Sequence, residues 1–409
     1  MKLFFLLSGL MIWLCACEEL HYVTVTYNTS ENNSSVPTLS YSSSTGNSGI
    51  VGIVMNIAPS TFDDKQSHLI NCSSSPALPL GLSLSSSDCS ITGTPAVISG
   101  PTTYTITATN AAGSSSASIN LTTSCPNGFI SVDADPLLGV GTFCIMKYEA
   151  RCATSLDGAS PCLLSEGAPD DFKIAVAIPE GRPWSRIEAQ DAVLACQNLN
   201  ALYNVSNKFD LISNTEWMAT ARNIELENSN WTDDGGVLKL NRGHSDNSPN
   251  TSCDSTLPNV ETNCSTAGSD FSQKRTHTLS SNEVIWDFAG NMHEWTDWIV
   301  ETPLNVFTVG PQNCPLALRE IQAKITECDP DLGAPFPSVS EIASPLDVTL
   351  NSSRGVGRIF GSDTPGGKGA AHRGGDYRDT VISGIYMLSL NVLQTTKASN
   401  LGFRCVYRP

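Results

Sequence analysis

The stretch Ile285–Trp298, "IWDFAGNMHEWTDW", decides the fold. Three tryptophans and a phenylalanine surround a Gly290-Asn291 pair, which supplies turn chemistry. Side chains of that size belong in a core, and Trp295 and Trp298 are read as core. His293 stands two residues before Trp295, without a second histidine nearby in sequence, so it is read as a surface residue.

Working outward, "FDLISNTEWMATARNIE" (209–225) has an apolar, strand-like entry. Ser213 and Glu216, three apart, then form a capping box before a short helix that carries Trp217 and Ala221 on one side. "PWSRIEAQDAVLACQNLN" (183–200) repeats the pattern, with Ser185 and Glu188 as the box. Ala189, Ala192, Val193, Cys196 and Leu199 fall at helical spacing, so Cys196 faces a core. Between Asn228 and Ser280 the chain reads as one long polar loop needing a fastener, for which Cys253 and Cys264 are suited.

Residues 18–124 contain no tryptophan, whereas 125–409 contain six of the seven. The shift marks a domain boundary at "TTSCPNG", where Cys125-Pro-Asn-Gly makes a turn. In the first region "TTYTITATNAAGSSSASINLTT" (102–123) alternates Tyr104, Ile106 and Ala108 with polar residues. It turns at "NAAG", then alternates Ala117, Ile119 and Leu121, as a hairpin with one buried face does. Residues 18–36 are polar and read as a flexible linker.

The chain has 409 residues, 40% of them hydrophobic and 15% charged, with a formal charge of −17. That length suggests two or three domains. The acidic balance, without any Lys/Arg run, excludes nucleic acid as a partner. No pair of the six histidines has metal-helix spacing. At the N-terminus, "MKLFFLLSGLMIWLCAC" (1–17) has Lys2, an apolar run of signal-peptide length and a small residue before Cys17. It looks like a bacterial lipobox, which implies lipidation at Cys17 and a membrane partner through that lipid. The expected location is the bacterial cell envelope, at the outer membrane or cell surface. Twelve further cysteines remain once Cys15 is removed with the signal and Cys17 takes lipid, and none forms C-x-x-C. An even set without that motif points to disulfides in an oxidising compartment. Neighbouring couples are 72/89, 152/162, 253/264 and 314/328; spacing alone leaves the connectivity open.

"LPLGLSLSSSDCSITGTP" (78–95) resembles the Ig-like repeat of bacterial surface proteins, through its Leu-Pro-x-Gly-Leu and Ile-x-Gly-Thr-Pro signposts. The resemblance implies an all-β Ig-like sandwich over 37–124, stapled by Cys72 and Cys89, in a module type that serves as a spacer.

Five further stretches come in a recognisable order: "FCIMKYEA" (143–150), "LISNTEWMATAR" (211–222), the opening stretch, "HRGGDY" (372–377) and "NLGFRC" (400–405). Together they resemble the formylglycine-generating enzyme, or sulfatase-modifying factor, family over 125–409. The resemblance implies a mixed α+β, loop-rich, C-type lectin-like fold, and a Cys196–Cys405 disulfide. Active members hold copper with two thiols, four and nine residues after the second glycine of Arg-Gly-Gly. Here those positions are Asp379 and Gly384, neither of which is a thiolate ligand. Sulfoxide synthases of this fold use a His-rich N-terminal domain, and an Ig-like module stands in its place.

The expectation is therefore a non-catalytic domain that requires no cofactor. The retroelement-diversified variable proteins, a second branch of the fold, use the matching C-terminal segment as a ligand-binding surface. That likeness implies display of Asp376, Tyr377, Arg378, Asp379, Tyr386, Ser389 and Asn391 to a protein or glycan ligand, with Tyr377 and Tyr386 as core plugs the competing reading. The family's Gly-Asn-x-x-Glu-Trp turn also implies structural calcium at Gly290, Met292 and Glu294, against a buried hydrogen-bonding role for Glu294. Two alternatives remain: an oxidoreductase of the same family acting on an exported substrate, and a purely structural envelope role.

Overall fold

A computed structural model of the chain describes residues 35–42, 47–65, 71–159, 162, 173–236, 238–253, 271–300, 319–320, 355–360, 369–389 and 392–409. Cys17, most of the 18–36 linker, Cys264, Cys314, Cys328 and Asn391 lie outside the described residues. The described chain is mostly β-sheet, with two α-helices, Ala189–Leu202 (α1) and Asn214–Glu225 (α2). The α content is thus smaller than a mixed α+β expectation suggests. Neither helix is long and apolar enough to cross a membrane.

The first domain is an Ig-like β-sandwich. The strands Ser99–Asn110 and Gly113–Ser124 form the expected hairpin, with Tyr104 opposite Ile119 and Ile106 opposite Ala117. Period-2 alternation puts Tyr104, Ile106, Ala108, Ile119 and Leu121 on one buried face. Asn110 closes the turn, its side-chain oxygen accepting from the Ala112 and Gly113 N–H groups. Asn47–Ile50 and Asn71–Ser75 flank the hairpin in a four-stranded sheet, and Met55–Ile57, Ile91–Gly93 and Leu82–Leu84 form a second, three-stranded sheet. Cys72–Cys89 is bonded within this domain.

In the second domain the C-terminal strand Cys405–Tyr407 lies in the middle of a sheet, between Phe143–Met146 and Phe209–Leu211. Cys405 is bonded to Cys196 on α1, 209 residues earlier, as the resemblance implied. Cys152–Cys162 also forms, and so does Cys125–Cys144, a pairing that sequence spacing did not single out. Cys253 is disulfide-bonded as well.

The cap expectations divide. Ser213 and Glu216 form a full capping box on α2. The Ser185/Glu188 box does not form: α1 begins only at Ala189, its N-cap Glu188 makes no side-chain cap bond, and Arg186 takes a positive φ of 53° that breaks any earlier turn. The described residues of the 228–280 segment are not all loop: they include the hairpin Trp231–Asp233/Leu238–Leu240 and the strand Thr276–Thr278.

The quoted landmarks interlock in the core. Trp217 stacks on Phe288 at 4.0 Å between ring centroids and donates its indole N–H to the Ile385 carbonyl. Trp295 donates to the Ile187 carbonyl ahead of α1. Asn291 donates to Glu149 and accepts from the Cys253 N–H. Arg373 donates to the Asn214 side chain at the start of α2. Buried polar groups of this kind need partners, and here each landmark supplies them to another.

Candidate functional site

A six-stranded sheet builds the site, and its register explains which side chains meet. His293–Val300 runs between Gly369–Gly374 and the parallel strand Leu401–Phe403; beyond Gly369–Gly374 lies Gly384–Ser389. His372 pairs with Trp295 on one side and with Ser389 on the other. His293 lies two residues before Trp295, hence on the same sheet face and diagonal to His372. The two imidazoles meet edge to face, 4.4 Å between centroids, and Trp295 also packs edge-on against His372. His293 therefore has a histidine neighbour after all, 79 positions along the chain in a strand that sequence proximity cannot reveal.

Above this face lies a cavity of about 270 Å³. Leu401, His293, His372, Ser389 and Met387 come from the sheet, and Asp379 and Ile382 from the loop after Gly375. The 392–400 segment closes it with Val392, Thr396, Ala398 and Asn400. The lining combines the polar His293, His372, Asp379 and Asn400 with the apolar Ile382, Met387, Val392 and Leu401.

Among the polar groups His293 Nε2 lies 3.2 Å from Asp379 Oδ2 and 3.9 Å from Asp376 Oδ2. Asp376 Oδ2 also accepts from Arg378 Nη2 at 2.7 Å and from Asn400 Nδ2 at 2.5 Å. Burial acts to raise the Asp376 pKa, but the His293 charge and these hydrogen bonds outweigh it and hold the group below the usual carboxylate range. Asp379 goes the other way: burial raises it against the pull of His293, and the Asp376 charge adds to the rise. Burial, followed by the neighbouring His293 charge, pushes His372 well below the ordinary histidine value, so it stays neutral.

The expected display surface is only partly present. Arg378 is exposed and Asp379 half-buried, but Asp376, Tyr377, Tyr386 and Ser389 are buried. Strand parity accounts for Tyr386: Met387 and Ser389 line the cavity, so Tyr386 projects from the opposite face. It is 2% exposed and donates its hydroxyl to Glu225 on α2. Tyr386 is a core residue here, and Tyr377 packs beside His244 and Arg378. Ser389 stays at the site as a cavity wall.

The calcium arrangement at Gly290, Met292 and Glu294 does not fit these residues. Both Glu294 oxygens are engaged by Arg404, at 2.5 and 2.7 Å, and the Gly290 carbonyl accepts the Met292 N–H. A fully buried guanidinium bound to the Glu294 carboxylate occupies both of its oxygens and repels a second cation. Glu294 thus acts as the buried anchor that the competing reading expected.

The two positions that would carry copper thiolates differ from each other. Asp379 faces the cavity, whereas Gly384 is sealed against residues 355–357. A Cβ there would lie 2.3 Å from the Val356 carbonyl carbon and 2.4 Å from Gly355 O and Gly357 N. No side chain of any kind fits at 384 without moving backbone.

His372, Met387, Thr396, Ala398 and Asn400 were not among the sequence candidates. The segment that holds them was singled out, but the register that turns them toward one cavity is a tertiary property.

No curated protein matches the chain. Among solved structures it is similar to PvdO from Pseudomonas aeruginosa, with 15% identity over 70% of this chain and 93% of that one and a TM-score of 0.31. Treponema denticola variable protein 1 gives 14% identity over 66% of this chain and 85% of that one, with a TM-score of 0.29. A SusE-like, surface-located polysaccharide-binding protein from Bacteroides thetaiotaomicron gives 13% identity over 34% of this chain and a TM-score of 0.18; the match spans 32% of that protein. Residues 36–124 match the family described as "Putative Ig domain", and this segment is the chain's Ig-like domain.

Proposed function

We propose that the chain is a cell-envelope protein, lipid-anchored through Cys17 at the outer membrane or cell surface. Its Ig-like domain serves as a stalk. Residues 125–409, a sulfatase-modifying-factor-like domain of C-type lectin-like fold, bind a glycan or protein ligand without catalysis. The observation that carries this reading is the cavity beside His293, His372 and Asp379. At about 270 Å³ it lies near the small end of ligand sites, and suits one sugar residue or one protein side chain. Ser389, Thr396 and Asn400 are matched to hydroxyl or amide groups, and Ile382, Met387 and Val392 to a C–H face.

The absence of thiols at 379 and 384, together with the lack of room for one at 384, argues against the copper chemistry of the resembling family. The test is an array of surface glycans and envelope proteins, probed with the full chain and with Thr396→Trp, which fills the cavity from its closing segment. Binding by the full chain that falls at least about tenfold in the variant supports the proposal. Equal binding by both, or copper-dependent oxidation of a peptide thiol by the purified chain, refutes it.

A further inference from the structure

We propose that His293, Asp376 and Asp379 bind one divalent first-row transition-metal ion at the cavity, with His372 as the supporting imidazole behind it. The inference goes beyond ligand recognition by the cavity and stands without it. One nitrogen from His293 and one carboxylate oxygen from each aspartate lie within 4.8 Å of one another. The His293 Nε2 separations from Asp379 and Asp376, 3.2 and 3.9 Å, are the relevant scale. Ligand atoms about 2.1 Å from a shared ion stand roughly 3 to 4 Å apart, so one ion reaches all three with small side-chain adjustments.

A second observation points to a ligand independently of the acidic pair. His372 lines the same cavity, is 4% exposed, and its Nδ1 has no hydrogen-bond partner among the described residues; the buried Nδ1 of His293 has none either. The buried His372, in edge contact with His293, has an unsatisfied Nδ1 that a water on the bound ion would complete.

Arg378 is the competing partner, since it holds Asp376 Oδ2 at 2.7 Å. Its side chain is 48% exposed, so it can swing into solvent and yield that oxygen. Asn400 remains to orient the carboxylate. The donor set decides the class of ion. Imidazole with carboxylates and no sulfur suits zinc, cobalt, iron or manganese in the divalent state. Calcium requires about six to eight oxygens, which this cluster does not offer. Three protein ligands leave coordination positions directed to the cavity, where water or a ligand oxygen would sit.

The test uses the untagged full chain, dialysed against Zn²⁺ or Co²⁺ and then against metal-free buffer, with bound metal counted by mass spectrometry. About one ion per chain is expected. His293→Gln and Asp379→Asn should each lower affinity by roughly tenfold or more, as loss of a ligand or supporting group does. Excess Ca²⁺ should not displace the ion, and Co²⁺ should give a visible absorption band that both variants lose. A readout without variants guards against misfolding: Zn²⁺ should raise the thermal midpoint of the unaltered chain, and a chelator should reverse it. No retained ion and no shift would overturn the proposal, as would undiminished retention in folded variants. Array binding repeated on chelator-treated protein separates this outcome from the ligand reading: binding that survives chelation leaves the cavity proposal standing whether or not the metal site does.

Discussion

Arg404 is fully buried and donates to both Glu294 oxygens and to the carbonyls of Met146, Trp286 and Asp287. One side chain thus ties together three of the landmark stretches. Arg404→Met should cost about 3–5 kcal/mol in chemical denaturation, because Glu294 would be left buried without its counter-charge. A loss below about 1 kcal/mol would show that the pair is not a keystone. Glu225 supplies a pH test. Burial raises its pKa from 4.5 to about 7, against the opposing Tyr386 hydrogen bond and Arg222 charge. Since the folded value lies above the unfolded one, its contribution is full below about pH 4.5 and is lost as pH rises to about 7. The span corresponds to about 3 kcal/mol. Buried neutral histidines such as His277, lowered to about 4, act in the opposite sense over part of that window. The comparison must therefore be Glu225→Gln against the unaltered protein. The variant should be relatively more stable near pH 8 than near pH 5, and parallel profiles would refute the assignment.

Sequence periodicity disclosed elements well where local chemistry dominates. The α2 start was readable because Ser213 and Glu216 satisfy each other's backbone within one turn. Ser213→Ala should lower stability by about 1 kcal/mol, measured by denaturant midpoint at constant slope. No change would mean that packing of Trp217 alone holds the helix. The same spacing at Ser185 misled, since backbone at Arg186 turns left-handed and delays α1. The Ig-like hairpin was legible in its strict alternation, and its two faces follow from it. The site was less so: "NMHEW" and "AHRGG" contain His293 and His372, but only the pairing of Trp295 with His372 brings the imidazoles together. A one-residue register shift would have sent them to opposite faces. That is why His293 looked solitary, and why Tyr386 looked like a display residue when strand parity turns it inward.

At the scale of the whole molecule, the chain closes on itself. Cys405–Tyr407 completes the central sheet, and its bond to Cys196 encloses 209 residues of separation. Cys196→Ala with Cys405→Ala should cost about 2–5 kcal/mol, read by denaturation under non-reducing conditions. The same strand meets the first domain: the Tyr407 hydroxyl donates to the Val51 carbonyl at 2.6 Å, and Val51 is buried in the second domain's core. The Ig-like domain is thus in direct contact with the C-terminal strand rather than joined to it by chain alone. Asp379 lines the cavity where ligand binding is proposed. The most direct measurement is array binding by the full chain beside Thr396→Trp, both shown to be folded by their thermal midpoints. A ligand held by the first and lost, by about tenfold or more, in the second is the predicted result. Identical binding profiles for the two proteins would contradict it.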